Sequence, residues 1–181
     1  MNVPRTASML AAAVFIAGCT DTGVEPASVE IPVFLSQHQG PPGHAMSAHT
    51  LGARLSGAEE VPSFDTRARG NATFRLSADG TELAFKLIVA NIENVTQAHI
   101  HCAPAGQNGP VVVWLYPDAP PSQLIPGRTN GILSEGTLTG VTNATCGATL
   151  AELVEEMRAG RTYVNVHTLQ SPPGEVRGQI R

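Results

Sequence analysis

A chain of 181 residues has room for one domain plus additional sequence. Charged residues make up 14% and the net charge is −4, which excludes the basic footprint of a nucleic-acid-binding protein. With 18 glycines, 14 prolines and only 4% aromatics, the composition favours many short strands and turns over long helices, around a core of Val, Leu, Ile and Ala.

In chain order, the first residues read as an address. Arg5 gives a positive start, and residues 9–16 form an apolar run too short to span a bilayer as a permanent helix. Ile16-Ala17-Gly18-Cys19 resembles the bacterial lipobox, where cleavage before the cysteine leaves a thiol that carries diacylglycerol. Residues 1–18 are therefore expected to be a lipoprotein signal peptide and Cys19 the lipidated residue. An ordinary signal peptide with an incidental cysteine is the alternative. A lipid at Cys19 would tether the protein to a bacterial membrane, in the periplasm or at the cell surface, stably so with more than one acyl chain. With Cys19 lipidated, Cys102 and Cys146 remain, an even number in an oxidising compartment. A Cys102–Cys146 disulfide is the preferred expectation; two thiols packed as small apolar side chains are the other.

Residues 19–50 read as a flexible tether, with Pro26, Pro32, Pro41 and Pro42 among Gly, Ser and Gln and no sustained periodicity. His38, His44 and His49 fall within it, and histidines in such a segment seldom have a specific role. From 51 to 181 the pattern is that of a β domain. Ala72, Phe74 and Leu76 alternate with polar residues, Asp79-Gly80 signals a turn, and Leu83, Phe85, Leu87 and Val89 alternate again, which predicts a hairpin. Further strands are expected at 97–101, 111–116, 132–139, 162–168 and 175–180, with Pro/Gly-rich loops at 102–110 and 117–131 as contact surfaces. Leu150, Leu153, Val154 and Met157 have helical spacing; Thr149 with Glu152 forms a capping box, and Gly160 ends the helix. Asn71, Asn94 and Asn143 begin glycosylation sequons, but behind a bacterial lipobox they read as ordinary sheet residues. Seven or eight short strands predict an all-β fold, an antiparallel Greek-key sandwich or small barrel with one short helix near the C-terminus.

Three histidines stand out. Ala98 and Ile100 are the small and apolar positions of their strand, so His99 and His101 share the opposite face. Val164 and Val166 likewise leave Tyr163, Asn165 and His167 on the non-core face of a later strand. Residues i and i+2 of a strand lie about 6.5–7 Å apart, a separation at which two imidazoles can converge on one ion. Imidazole suits Cu, Zn and Ni alike. A His-x-His pair on a solvent-facing strand with no ligand is the plainer reading, and the sequence does not say that the two strands adjoin.

Residues 51–181 resemble the CHRD (chordin-domain) family. The resemblance is carried by LSGAEEVP from Leu55, AHIH from Ala98, PAGQNGPVV from Pro104, YVNVHT from Tyr163 and GEVRGQI from Gly174. It implies a bacterial surface setting and no generally established activity. His-x-His, a later strand with Val-His, and then a Gly-rich turn with an Arg are also similar, more distantly, to copper–zinc superoxide dismutases. That likeness implies a superoxide-dismutase-like or Ig-like fold and makes His99, His101 and His167 copper ligands. It makes Arg177 the catalytic arginine that draws an anionic substrate to the metal, and it sets Cys102–Cys146 parallel to that family's intrachain disulfide. The chain departs from the pattern in having no bridging histidine and no zinc-ligand cluster.

Two functions follow. One is a lipid-anchored copper protein with superoxide-related redox activity, which would make it an oxidoreductase. The alternative is a non-catalytic envelope interaction or adhesion module with an envelope protein as partner. No organic cofactor and no nucleic acid are expected. A hydrolase is least supported, because no Gly-x-Ser-x-Gly elbow is present. Glu59-Glu60 and Glu155-Glu156 are neighbours only in sequence and read as surface charge.

Overall fold

The computed structural model describes residues 50–181. The expected signal peptide, Cys19, and the tether with His38, His44 and His49 lie outside the described residues. The chain forms β1 (Leu51–Ser56), β2 (Arg69–Leu76), β3 (Leu83–Cys102), β4 (Val111–Tyr116), β5 (Ile125–Leu138), α1 (Leu150–Arg158), β6 (Thr162–Thr168) and β7 (Val176–Gln179). It is an all-β architecture with one short helix, as the alternation predicts.

The β2–β3 hairpin follows from period-two burial. Ala72 and Phe74 are buried between exposed Asn71, Thr73 and Arg75, and Phe74 pairs with Phe85. Its turn is held by the Asp79 carboxylate, which accepts from Ser77 Oγ at 2.6 Å and from the Thr81 amide at 3.1 Å. Gly80 supplies the left-handed residue, with φ of 74°.

β3 is one strand where the sequence predicts two. Its first half pairs with β2 and β5, its second half with β4 and β6. Between the halves, Asn91 and Asn94 adopt left-handed φ values of 55° and 53°, and the register slips on either side of Ile92. Such bulges bend a strand and add twist, so β3 passes from one part of the sheet to another without ending. Asn94 Oδ1 accepts from the Gly127 amide and Asn130 Oδ1 from the Asn91 amide, which ties the bend to β5.

β1 pairs with β2, β6 with β3 and β7, and β1 meets β7 at Ser56↔Arg177. Gly52 and Arg181 exchange two backbone hydrogen bonds, of 2.8 and 2.9 Å. Strands β1-β2-β3-β6-β7 thus close an antiparallel barrel, with β4 and β5 added along β3. β5 begins at Ile125 rather than at 132; Pro126, Gly127 and Gly131 interrupt the alternation by which its first half would be read from the sequence. Only 117–124 of the expected second loop remains outside a strand.

The core is lined by Phe74, Leu83, Leu87, Ile92, Ile100, Val112, Leu115, Val164 and Val176. α1 starts at the capping box formed by Thr149 and Glu152 and lays Leu150, Leu153, Val154 and Met157 on that core. Cys102 and Cys146 are joined as a disulfide, which ties the end of β3 to the segment before α1.

The two half-cystines lie 44 residues apart, so chain entropy allows this bond to contribute up to about 4 kcal/mol. The double variant Cys102→Ser/Cys146→Ser should lose most of that in urea unfolding. A loss below about 1 kcal/mol would show that the closed loop is already ordered without it.

Candidate metal centre

Registry between β3 and β6 builds the site. His99 lies opposite Asn165, His101 opposite Tyr163 and Gln97 opposite His167. Ala98 and Ile100 pack into the core with Val164 and Val166, so the histidines share the other face. That face, expected to be solvent-facing, is covered: His99, His101 and His167 are 2%, 8% and 6% exposed.

Part of the cover is the loop between β3 and β4, expected above as a contact surface, which meets His101 through Gly109; Trp114 and Pro172 meet His99 and His167. The loop folds back because the Cys102 amide donates to Pro110 O at 3.0 Å, and Gly109 lies against the Cys102 carbonyl where a Cβ would overlap it. Arg177 pins the same loop, donating to Gln107 O at 2.8 Å and to Asn108 Oδ1 at 3.1 Å. Its guanidinium lies 3.4 Å from the Tyr163 ring centroid. Tyr163 in turn stacks on His101, with centroids 4.8 Å apart and planes 6° from parallel. That spacing leaves no room between the rings, so Arg177 occupies the outer face of Tyr163. The residue that the dismutase likeness assigns to substrate attraction is itself buried, and its donors are directed at the loop.

Hydrogen bonds determine which ring nitrogens are free. His101 Nδ1 is 2.9 Å from Gly109 O, and His167 Nδ1 is 2.8 Å from Pro172 O. A carbonyl only accepts, so both Nδ1 atoms carry the proton and both Nε2 atoms keep a lone pair. His99 Nδ1 approaches His167 Nε2 at 3.1 Å. Since that Nε2 accepts, His99 Nδ1 donates and its own Nε2 is left as a lone pair. His99 Nε2, His101 Nε2 and Asn165 Oδ1 are buried without hydrogen-bond partners. Unpartnered polar atoms are costly in an interior, and an ion or a polar ligand on this face would satisfy them.

One ligand atom from each of the three histidines lies within 4.8 Å of the others, so this cluster could hold a metal ion. Metal–nitrogen bonds of about 2.0–2.1 Å place ligand nitrogens of a trigonal ion about 3.5 Å apart. His99 Nδ1 and His167 Nε2, 3.1 Å apart, are near that separation; to ligate through Nδ1, His99 would move its proton to Nε2, and the third ring would close by up to about 1.3 Å.

The rings are also held neutral. Burial, with His167 and His101 nearby, pushes His99 down to about 3. Burial pulls His167 to about 4 against the opposing hydrogen bond to Pro172. His101 is likewise lowered by burial, opposed by its hydrogen bond to Gly109, with Arg177 adding to the lowering. Neutral imidazole is the form that binds a metal.

Glu60 corrects the sequence reading. It is buried rather than surface charge, and burial raises it to about 7 despite the attraction of Arg177. Gly174, with φ of 140°, lies against the Glu60 carboxylate where a side chain would collide with it. Glu155 and Glu156 are ion-paired with Arg158 and Arg161 on the helix side of the molecule. Trp114 of β4 meets His99 edge-on, with centroids 4.3 Å apart. The period-two pattern of YVNVHT aligns Tyr163 and Asn165 with His167. The carbonyls of Gly109 and Pro172 leave no mark in a sequence.

Compared with known proteins, residues 51–180 match the family model of the CHRD domain. No curated protein and no solved structure matches the chain.

Burial of the neutral histidines has a pH signature. A histidine whose folded pKa lies below its unfolded value of about 6.5 leaves the native state binding fewer protons than the unfolded chain. Its contribution is intact above about pH 6.5 and is lost as pH falls toward 3–4, at up to about 1.4 kcal/mol per pH unit for each ring. Glu60, raised to about 7, acts in the opposite sense, stabilising below about 4.5 and losing that contribution as pH rises through 7. Urea unfolding of the metal-free protein from pH 7.5 to 4.5 should show stability falling with acid, and more steeply in Glu60→Gln. A flat profile in both proteins would contradict the buried, neutral rings.

Proposed function

We propose that this chain, which belongs to the CHRD-domain family, is a lipid-anchored extracytoplasmic protein that holds copper between His99, His101 and His167. One observation carries the metal reading. Gly109 O and Pro172 O orient His101 and His167 so that each presents an Nε2 lone pair to the buried face it shares with His99. Backbone carbonyls that fix the ring tautomer are the usual second tier of a histidine metal site. Imidazole suits copper in either valence, and copper is the metal that the dismutase likeness implies.

A bound copper ion would supply one-electron chemistry, superoxide-related redox included. The chain's own residues hold the rings, keep them neutral and exclude bulk water. Tyr163 and Arg177 act here as positioning residues, because they meet His101 and the covering loop rather than an open channel.

The extracytoplasmic setting is supported by the disulfide, which persists where thiols are not kept reduced, and by the lipobox at Cys19. No helix among the described residues is long and apolar enough to cross a membrane. A second reading, an envelope interaction module, is favoured by the exposed tip of the covering loop at 104–108.

Purified protein loaded with Cu(II) should bind one ion per chain and give an EPR spectrum with nitrogen couplings. The double variant His99→Ala/His167→Ala should lose stoichiometric binding; unchanged binding would end the metal reading. An envelope partner captured equally by that variant would favour the interaction module. Independently, Cys19→Ala should shift the protein from the membrane fraction to the soluble fraction of cells. A variant that stays with the membrane would remove the anchor from the proposal.

A further inference from the structure

We infer that the histidine cluster is built for a singly charged soft cation, cuprous copper, in preference to a divalent ion. The inference rests on the three-histidine reading and adds the charge of the occupant. Every donor that faces the site is neutral: three imidazoles, with the unpartnered Asn165 Oδ1 as a further neutral neighbour. Among the described residues, neither carboxylate nor thiolate joins this cluster.

The fixed charges around the site are unfavourable to a second positive charge. Arg177 is separated from His101 by the thickness of the Tyr163 ring. Two carboxylates are in electrostatic reach of Arg177: Glu60, which burial holds toward its neutral form, and Glu59, which is exposed to solvent. Glu175 is buried too, but its two oxygens accept from Thr66 and Thr168 hydroxyls at 2.8 and 2.7 Å. None of these acids supplies a ligand atom to the cluster.

The self-energy of a buried ion grows with the square of its charge, so a divalent ion is penalised about fourfold more than a monovalent one in the same cavity. Its repulsion from Arg177 is about doubled as well, since Coulomb energy is linear in each charge. Three-histidine sites that hold a divalent ion add a water or hydroxide as a fourth ligand, which offsets part of the charge. This face is covered and its donors are dipoles, an arrangement that favours one charge over two. Imidazole binds copper in either valence, so it is the electrostatics that selects between them.

The test uses full-length protein and four ions. Cu(I) and Ag(I) are monovalent, Zn(II) and Cu(II) divalent, and Ag(I) and Zn(II) do not change valence in the experiment. Competition with chromophoric chelators without oxygen gives affinities. Trp114, the single tryptophan and a neighbour of His99, reports occupancy by fluorescence. Cu(I) and Ag(I) should bind one per chain, with loss in His99→Ala/His167→Ala, and Zn(II) should bind at least about 100-fold more weakly than Cu(I). A 100-fold preference for Cu(I) over Cu(II), relative to the aqueous ions, corresponds to a potential raised by about 120 mV at 59 mV per tenfold. Asn165→Asp adds a carboxylate beside His101 and should reduce the Cu(I)-over-Zn(II) ratio at least about tenfold.

Zn(II) binding as tightly as Cu(I), a potential at or below that of the aqueous couple, or an unchanged ratio in folded Asn165→Asp overturns the charge preference and leaves the three-histidine site standing. Failure of all four ions to bind overturns the site itself. Should Asn165→Asp not fold, the wild-type ratio and potential decide alone.

Discussion

A guanidinium that is only 1% exposed must find partners for its donors, and the way Arg177 finds them organises the functional half of the domain. Its N–H groups reach the carbonyl of Gln107 and the side chain of Asn108, which draws the loop after β3 down over the sheet. Its flat face lies on Tyr163, and Tyr163 lies on His101. The loop it holds carries Gly109, whose carbonyl fixes the proton of His101 on Nδ1. One buried cation thus sets both the position of a candidate ligand ring and the tautomer that frees its Nε2. Breaking such a contact leaves a buried charge unpaired, which is why the arrangement is expected to be rigid.

The opposite wall is built in the same way with different parts. Ser171 Oγ donates to Gly174 O at 2.6 Å, and the Ser171 amide donates to Thr168 Oγ1, which compacts the turn between β6 and β7. That turn presents Pro172 O to His167. Two loops that are remote in sequence therefore do one job, each supplying a carbonyl that commits the Nδ1 of one histidine. His99 has no such carbonyl; its Nδ1 is directed at His167, so its tautomer is the one free to change when an ion enters.

Much of this was legible in the residues. The alternation through Phe74 and Phe85 defines the hairpin, Thr149 with Glu152 defines the helix start, and His-x-His against YVNVHT defines a shared face. What escaped detection has physical reasons. Asn91 and Asn94 look like turn residues, yet left-handed single positions can bend a strand without ending it. Pro126 and Gly127 hide the start of β5, an added strand pairing with β3, where such residues are tolerated. Burial of the histidine face is a tertiary fact, because its cover comes from loop backbone and from Arg177 far along the chain. The burial of Glu60 is of the same kind, since nothing in Glu59-Glu60 reveals that one of the two is buried and the other exposed.

Burial acts on this site in two opposing ways, and together they explain why such a face would persist. Hiding three histidines lowers their affinity for protons, so the empty fold is weakened by acid. The same lowering means that protons compete poorly with a metal for the lone pairs until pH approaches the depressed values near 3–4. At an exposed His-x-His pair, protons would begin to compete with the ion already near pH 6.5. A bound ion also stabilises the native state by mass action, as any ligand specific to it does. That gain weighs more as pH falls, because the burial of neutral rings progressively weakens the empty fold. The disulfide at Cys102, next to His101, adds stability that does not depend on occupancy. The domain can therefore carry a buried, neutral and incompletely satisfied face, because its covalent tie supports the empty state and a bound ion would support the loaded one.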